Sequence, residues 1–175
     1  MQLLRENLIF FKKYLTNPKR VGSVAPSSKY LGQAMSELIG RLEKTKVVEV
    51  GAGTGSITAH LQHLAPAVIE VDAELHRLLK HKFGDVEIVH DCALAYLSRI
   101  ETPIGLVVSI PLINNPFRTS FVERLRTLYL DGKLKWCVIY TYGVRSPLGD
   151  IGFTQARRAR WVWKNLPPAS IWVYA

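Results

Sequence analysis

Glu49-Val50-Gly51-Ala52-Gly53-Thr54-Gly55 is the segment that most narrows what this chain can fold into. It follows the apolar run Val47-Val48 and precedes a stretch, Ser56 to Leu64, that reads as a helix. A strand that ends in glycines and turns straight into a helix opens an α/β unit, because glycine lets the backbone turn tightly and come close to a ligand. The dinucleotide fingerprint is G-x-G-x-x-G, whose last glycine packs the helix beside a pyrophosphate. Here the third glycine comes one residue early, as G-x-G-x-G. Glu49 would also lie unfavourably near a pyrophosphate, yet it suits the cationic amino group of a methionine moiety. The turn therefore disfavours NAD, and taken alone it is also compatible with a purely structural turn.

The rest of the chain extends the α/β alternation. Strands are expected over Ala67 to Val71, Val86 to His90, Leu106 to Ile110 and Trp136 to Tyr142, with helices over Ala73 to Phe83 and Phe121 to Leu130. The tail carries an expected antiparallel pair, Arg158 to Lys164 and Ser170 to Tyr174, joined through Asn165-Leu166-Pro167-Pro168. Before the first strand, residues 2–16 have an apolar stripe (Leu4, Leu8, Phe11, Leu15) at helical spacing, with Arg5, Lys12 and Lys13 off it. Asn17-Pro18 ends that helix, and Ser27 or Ser28 caps a second one carrying Leu31, Met35, Leu38 and Ile39. The expected fold is α/β and Rossmann-like: a mostly parallel seven-stranded sheet, a C-terminal antiparallel hairpin and an N-terminal helical extension. Residues 1–45 form the helical cap and 46–175 the core of one compact domain.

At 175 residues with 48% hydrophobic side chains, the chain can bury a sizeable core. A net charge of +9 calls for an anionic partner: a membrane surface, a nucleic acid or an acidic substrate. The two cysteines, Cys92 and Cys137, sit in apolar runs and read as buried free thiols, which fits a reducing cytoplasm. No stretch reaches the roughly 18 apolar residues of a membrane span, and the N-terminus lacks the apolar core of a signal peptide. No His/Cys cluster has metal-ligand spacing, so no metal is expected.

Three further acids sharpen the site. Glu70 and Asp72 flank the end of the second strand, where a carboxylate can accept both hydroxyls of a ribose, and Asp91 follows the third, within reach of an adenine amino group. Ligands of parallel sheets bind outside the carboxyl ends of the strands, where all of these acids fall. Glu70 outranks Asp72, because Asp72 can instead cap the next helix.

This arrangement resembles the class I methyltransferases over about residues 46–142, which implies S-adenosylmethionine over Gly51 to Gly55. A second resemblance spans nearly the whole chain. Gly22-Ser23-Val24-Ala25-Pro26-Ser27-Ser28, Ser109-Ile110-Pro111-Leu112, Tyr142-Gly143 with Ser146-Pro147, and Asn165-Leu166-Pro167-Pro168-Ala169 are similar, in order and spacing, to segments of the bacterial phospholipid N-methyltransferases. That family methylates the amine of phosphatidylethanolamine. The resemblance implies a cofactor set of Glu49, Gly51, Gly53, Gly55, Glu70, Asp72, Asp91, Cys92 and Ser109, a catalytic set of Tyr142, Ser109 and Pro111, and substrate contacts at Pro26 and Ser27.

The residues themselves fit such a substrate. A basic amphipathic helix can lie in a lipid interface, with Lys12 and Lys13 near phosphates; the alternative is a helix packed on the core. Arg20, Lys19 or Arg145 can hold a phosphate, and surface solubility is the plainer role for each. Tyr140 and Tyr142 fall on one face of the fifth strand, and can surround an ammonium or simply fill the core. The expected partners are a phospholipid and an anionic membrane surface, with the protein cytoplasmic and peripheral on the inner membrane. The alternative partner is nucleic acid. The ribosomal RNA adenine dimethyltransferases share a similar core and an acid pair like Glu70-Val71-Asp72. They place Asn or Asp before the proline of the fourth-strand loop, where this chain has Ser109-Ile110-Pro111, and usually carry a C-terminal helical domain, whereas this sequence ends at Ala175. Another small-molecule amine methyltransferase and a non-catalytic lipid-binding module complete the alternatives.

Overall fold

The computed structural model describes residues 28–112, 115–149 and 152–175. The expected helix over 2–16, together with Lys12, Lys13, Arg20, Pro26 and Ser27, lies outside the described residues.

The described chain runs α1 (Lys29–Ile39), β1 (Lys46–Val50), α2 (Thr58–Leu61) continued by a 3₁₀ turn (Gln62–Leu64), β2 (Ala67–Glu70), α3 (Ala73–Lys82), β3 (Glu87–His90), α4 (Ala93–Ser98), β4 (Ile104–Val108), α5 (Arg118–Leu130), β5 (Leu134–Thr141), β6 (Ala156–Val162) and β7 (Ala169–Tyr174). The strands form one seven-stranded sheet in the order β3-β2-β1-β4-β5-β7-β6. β1 to β5 are mutually parallel, and β7 is antiparallel to both β5 and β6.

Side chains alternate across a strand, so the near-continuous apolar runs of β1, β4 and β5 need helices on both faces. Val48, Val50, Leu106, Val108, Cys137 and Ile139 share one core with Leu97 of α4 and Phe121, Leu125 and Leu128 of α5. Val47, Val107, Trp136 and Val138 share the other with Leu31, Ala34, Met35 and Ile39 of α1 and Leu61 of α2. α1 starts at Ser28, whose hydroxyl accepts the Leu31 amide. Fully burying a side chain of this size contributes about 1.5–3 kcal/mol, so these two layers hold the sheet together.

Several elements differ from expectation, three of them beside the glycine turn or its neighbouring strands. The helix after the glycine turn begins at Thr58 rather than Ser56, because the positive-φ glycines through Gly55 keep the chain turning before it can coil. β4 is Ile104–Val108 rather than Leu106 to Ile110; its neighbour β1 sets the register, with Lys46 opposite Ile104 and Val50 opposite Val108. α4 was not anticipated: its six residues are too few for helical periodicity to stand out.

The strand order reverses between β1 and β4, the place where open α/β sheets form a crevice outside the carboxyl ends of their strands, and the glycine turn follows β1 there.

Candidate functional site

The turn is built from β1 outward. The Gly51 amide donates to the Ile69 carbonyl (2.9 Å) and the Gly55 amide to Ala52 (2.9 Å), which fixes the loop against β2 and on itself. Gly51, Gly53 and Gly55 have φ of 74°, 60° and 82°. Two of them show what the pattern is for. At Gly55 a Cβ would meet the Phe83 ring at 2.4 Å, so this glycine admits close packing of the residue that ends α3. At Gly53 nothing lies within 4 Å of where a Cβ would stand. The loop has an open cradle at its tip, flanked by backbone amides.

Glu49 sits in β1, two residues before Gly51. It is fully buried, and its carboxylate accepts hydrogen bonds from Thr58 Oγ1 (2.8 Å) and Ser109 Oγ (3.0 Å). Burial pushes its pKa up to about 7; the two hydroxyls pull it down and the nearby Glu70 adds to the rise. A carboxylate poised this way gains from a cation, which would return it to full charge. Thr58 is a site residue that sequence reasoning missed. A hydroxyl in the first helical turn after the glycines was the available signal.

Glu70 is also fully buried. Its Oε2 accepts the Gly53 amide (2.9 Å) and its Oε1 the Asp72 amide (3.0 Å), so it ties the glycine turn to the loop after β2. Burial raises its pKa, the backbone amides of Asp72, Gly53 and Val71 lower it, and Asp72 raises it further. Asp72 turns away from this centre: its Oδ1 accepts the amides of Glu74 and Leu75 and caps α3. The capping role that ranked Asp72 below Glu70 is the one it takes: the strand ends at Glu70, and Asp72 starts the next helix.

Asp91 stands at the end of β3, accepts the Cys92 amide (2.7 Å) and pairs with Arg99 from α4. Cys92 is half-buried at the cap of α4; Cys137 is fully inside, where burial pushes its thiol pKa up. His90 Nε2 lies 3.0 Å from the Val71 carbonyl, and its ring stacks on His76 at 5.0 Å, which marks it as a structural residue.

The side of the crevice beyond β4 has different materials. The Ser109 hydroxyl is engaged by Glu49, and the Pro111 carbonyl accepts Asn115 Nδ2 (2.9 Å). Tyr140 and Tyr142 meet edge to face at 6.0 Å and pack, half-buried, against the cluster that holds Leu31 and Met35. The loop after β5 is pinned by Ser170 Oγ donating to the Gly143 carbonyl (2.7 Å), by the hydrogen bond shared between Ser146 and Tyr174 (2.6 Å), and by Arg118 Nε donating to the Pro147 carbonyl (3.1 Å). Ser146 and Pro147 thus serve the shape of the loop.

No protein-family model matches the chain, and no curated protein matches it in sequence. Solved structures match it in fold. It is similar to TrmN from Thermus thermophilus (16% identity, TM-score 0.64), covering 87% of this chain and 50% of that one. It is similar to the 23S rRNA methyltransferase ErmE (18%, TM-score 0.57; 83% and 67% covered). It is similar to a TehB-like SAM-dependent methyltransferase from Corynebacterium glutamicum (15%, TM-score 0.55; 98% of each covered). The chain spans about half the length of the Thermus protein. These likenesses show the fold, a Rossmann-like class I methyltransferase sheet with its antiparallel C-terminal strands.

Proposed function

We propose that this protein binds S-adenosylmethionine and methylates an amine, that of a phosphatidylethanolamine headgroup. The observation that carries the reading is the buried Glu49 carboxylate at the end of β1, leading into a glycine turn that is open at Gly53, at the point where the strand order reverses. Glu49 would hold the methionine ammonium of that cofactor, Glu70 its ribose and Asp91 its adenine amino group. Bound there, S-adenosylmethionine supplies an electrophilic methyl group on a sulfonium.

The chain's part is to bind, orient and desolvate. A primary ammonium has a pKa of roughly 10 and attacks only as the neutral amine. An apolar surround favours that neutral form, and the Tyr140–Tyr142 pair beside the apolar cluster provides one. With the methyl group supplied by the bound cofactor, the chain's residues would hold the neutral amine in line with it, and the amine's proton would pass to solvent. Most of the acceleration is then alignment of two held reactants. The phospholipid assignment rests on the family resemblance and on Ser109 in the fourth-strand loop. Its hydroxyl is engaged by Glu49, and it has no amide carbonyl to accept an adenine amino group.

A second reading is RNA adenine methylation. It is favoured by the fold shared with an rRNA methyltransferase and by the arginines and tryptophans of β6 and its turn. Labelled S-adenosylmethionine mixed with phosphatidylethanolamine vesicles and, separately, with ribosomal RNA decides between them. Stepwise methylated lipid is the expected product; labelled RNA with unlabelled lipid reverses the assignment. The membrane-peripheral cytoplasmic location follows from the same proposal. Among the described residues no helix is long and apolar enough to cross a membrane.

A further inference from the structure

We infer that the tip of the β6–β7 hairpin is a second lipid-docking element, which seats the crevice on an anionic bilayer. The register gives its position. β7 pairs with β5 through Ser170 opposite Thr141, and β6 pairs with β7 through Val162 opposite Ala169. Residues 163–168 therefore turn at the carboxyl edge of the parallel strands, the edge that carries the glycine turn and Tyr142.

This tip exposes apolar surface that a water-facing turn has no use for. Trp163 is 73% exposed and Leu166 81%, and Val144, in the loop after β5 on the same edge, is 65% exposed. Trp161 and Trp163 stack at 5.4 Å, so the two indoles present one rigid slab. One cation caps the slab: Arg158 lies over the Trp161 ring at 4.9 Å. Lys164, next in the chain after Trp163, lies with Lys29 over a separate ring, that of Tyr30, at 5.1 and 5.4 Å. Exposed indole with Lys and Arg on the same turn is the chemistry of the headgroup region: the aromatic body enters the acyl boundary while the cations stay at the phosphates.

A second observation concerns how the chain arrives there. The Ser28 amide donates to Asn165 Oδ1 (2.8 Å), and Asn165, 2% exposed, also donates from Nδ2 to the Pro167 carbonyl (2.8 Å). The start of α1 is thus fastened to the hairpin tip. Exposed apolar side chains at the tip, Trp163 and Leu166, together with Arg158 and Lys164 select an anionic bilayer as the occupant, because a lipid boundary takes up the apolar groups as well as the charge. The partner's identity rests on the lipid reading of the site; the docking itself does not require catalysis.

The test uses the full chain and vesicles of phosphatidylcholine with about one-third phosphatidylglycerol, chosen so that screening is measurable. Vesicles with brominated acyl chains should quench tryptophan emission, and Trp163→Phe should lose most of that quenching. Trp163→Ala combined with Leu166→Ser should weaken sedimentation with vesicles by about tenfold, since two buried apolar side chains are removed. Both positions are exposed, so folding is preserved, and a matching circular dichroism melt checks it. The same variant should methylate a short-chain, monomeric phosphatidylethanolamine as the unaltered chain does, and lose rate on vesicles. Undiminished vesicle binding overturns the inference, as does bound protein whose emission is not quenched. It is equally overturned if residues 1–27 shield Trp163 from acrylamide with and without vesicles, or if the double variant loses single-stranded RNA while vesicles bind neither form. If vesicle binding depends on Trp163 but no lipid is methylated, the docking surface stands and the proposed activity falls.

Discussion

The two ends of the sheet meet the crevice with opposite materials. At the ends of β1, β2 and β3 stand Glu49, Glu70 and Asp91, and their carboxylates are answered from inside the protein by Thr58, Ser109, the Gly53 and Asp72 amides, and Arg99. At the ends of β5, β6 and β7 stand tyrosines, tryptophans and cations, many of them turned outward. The acidic end is wired into the fold, so it couples ligand binding to stability. The aromatic, basic end is loosely coupled, so it can change partner without unfolding the sheet. This is how one fold serves many substrates while keeping one cofactor crevice.

The largest effect should follow from cutting the wiring at Glu70. Glu70→Ala leaves the Gly53 and Asp72 amides without their acceptor in a buried place, at a cost of about 2–4 kcal/mol. Urea denaturation should show that loss, together with weaker cofactor binding by calorimetry. A Glu70→Ala variant as stable as the unaltered chain would dissolve the contrast between the two ends.

Glu49 should behave differently although it is equally buried. Its folded pKa near 7 lies above the unfolded value of 4.5, so between those values the folded state holds a proton that the unfolded state has released. That stabilisation is fully present below about pH 4.5 and is lost as pH rises through about 7, a change of about 3 kcal/mol for a shift of this size. Glu49→Gln should flatten this slope and raise apo stability at pH 8 by about 1–3 kcal/mol. It should at the same time weaken cofactor binding at pH 8 by about tenfold or more, because the ammonium loses its counter-charge. In the unaltered protein, cofactor affinity should rise with pH as Glu49 ionises. Calorimetric titrations at pH 6 and 8 check the sign. A variant that binds the cofactor as well as before separates Glu49 from the ligand.

The sequence revealed the acidic end more fully than the other, for physical reasons. The glycine turn and the strand-end acids are local patterns: a turn must carry its own glycines, and an acid just before a helix, Asp72, reads as its cap, which leaves Glu70 for the strand end. The partners of Glu49 were not legible, since Ser109 is 60 positions away and reaches it only through the β1–β4 pairing. The shift of β4 has a similar cause. Its apolar run contains several acceptable strands, and tertiary register chooses one. At the other end, Ser146 and Pro147 belong to the resemblance, but their work, holding the loop to Tyr174 and Arg118, is visible only in the fold.

Gly53→Ala probes the cradle with a smaller perturbation. The methyl group meets no neighbour, so the stability cost is the left-handed backbone alone, about 1 kcal/mol. The same methyl group stands in the open space assigned to the cofactor. Binding should therefore weaken more than stability does, by more than about tenfold, which calorimetry against a urea melt will show. Equal losses in both would mean that the cradle is a structural turn.

The smallest stability effect belongs to Asp91, and it sharpens the comparison most. Its pair with Arg99 is partly solvent-facing, with the arginine side chain 62% exposed, and such pairs are worth about 1 kcal/mol or less. Asp91→Ala and Arg99→Ala should thus destabilise the fold slightly and to a similar degree. Their effects on the cofactor should diverge. If Asp91 accepts the adenine amino group, removing the carboxylate weakens binding by about tenfold, or about 1.4 kcal/mol. Removing Arg99 takes away a competitor for that carboxylate and should leave binding unchanged or tighter. Equal losses from both would show that the ion pair positions the β3 end without touching the ligand. Asp91 would then belong with Asp72, a strand-end acid used to start a helix, and the cofactor contacts of the acidic end would narrow to Glu49, Glu70 and the glycine turn.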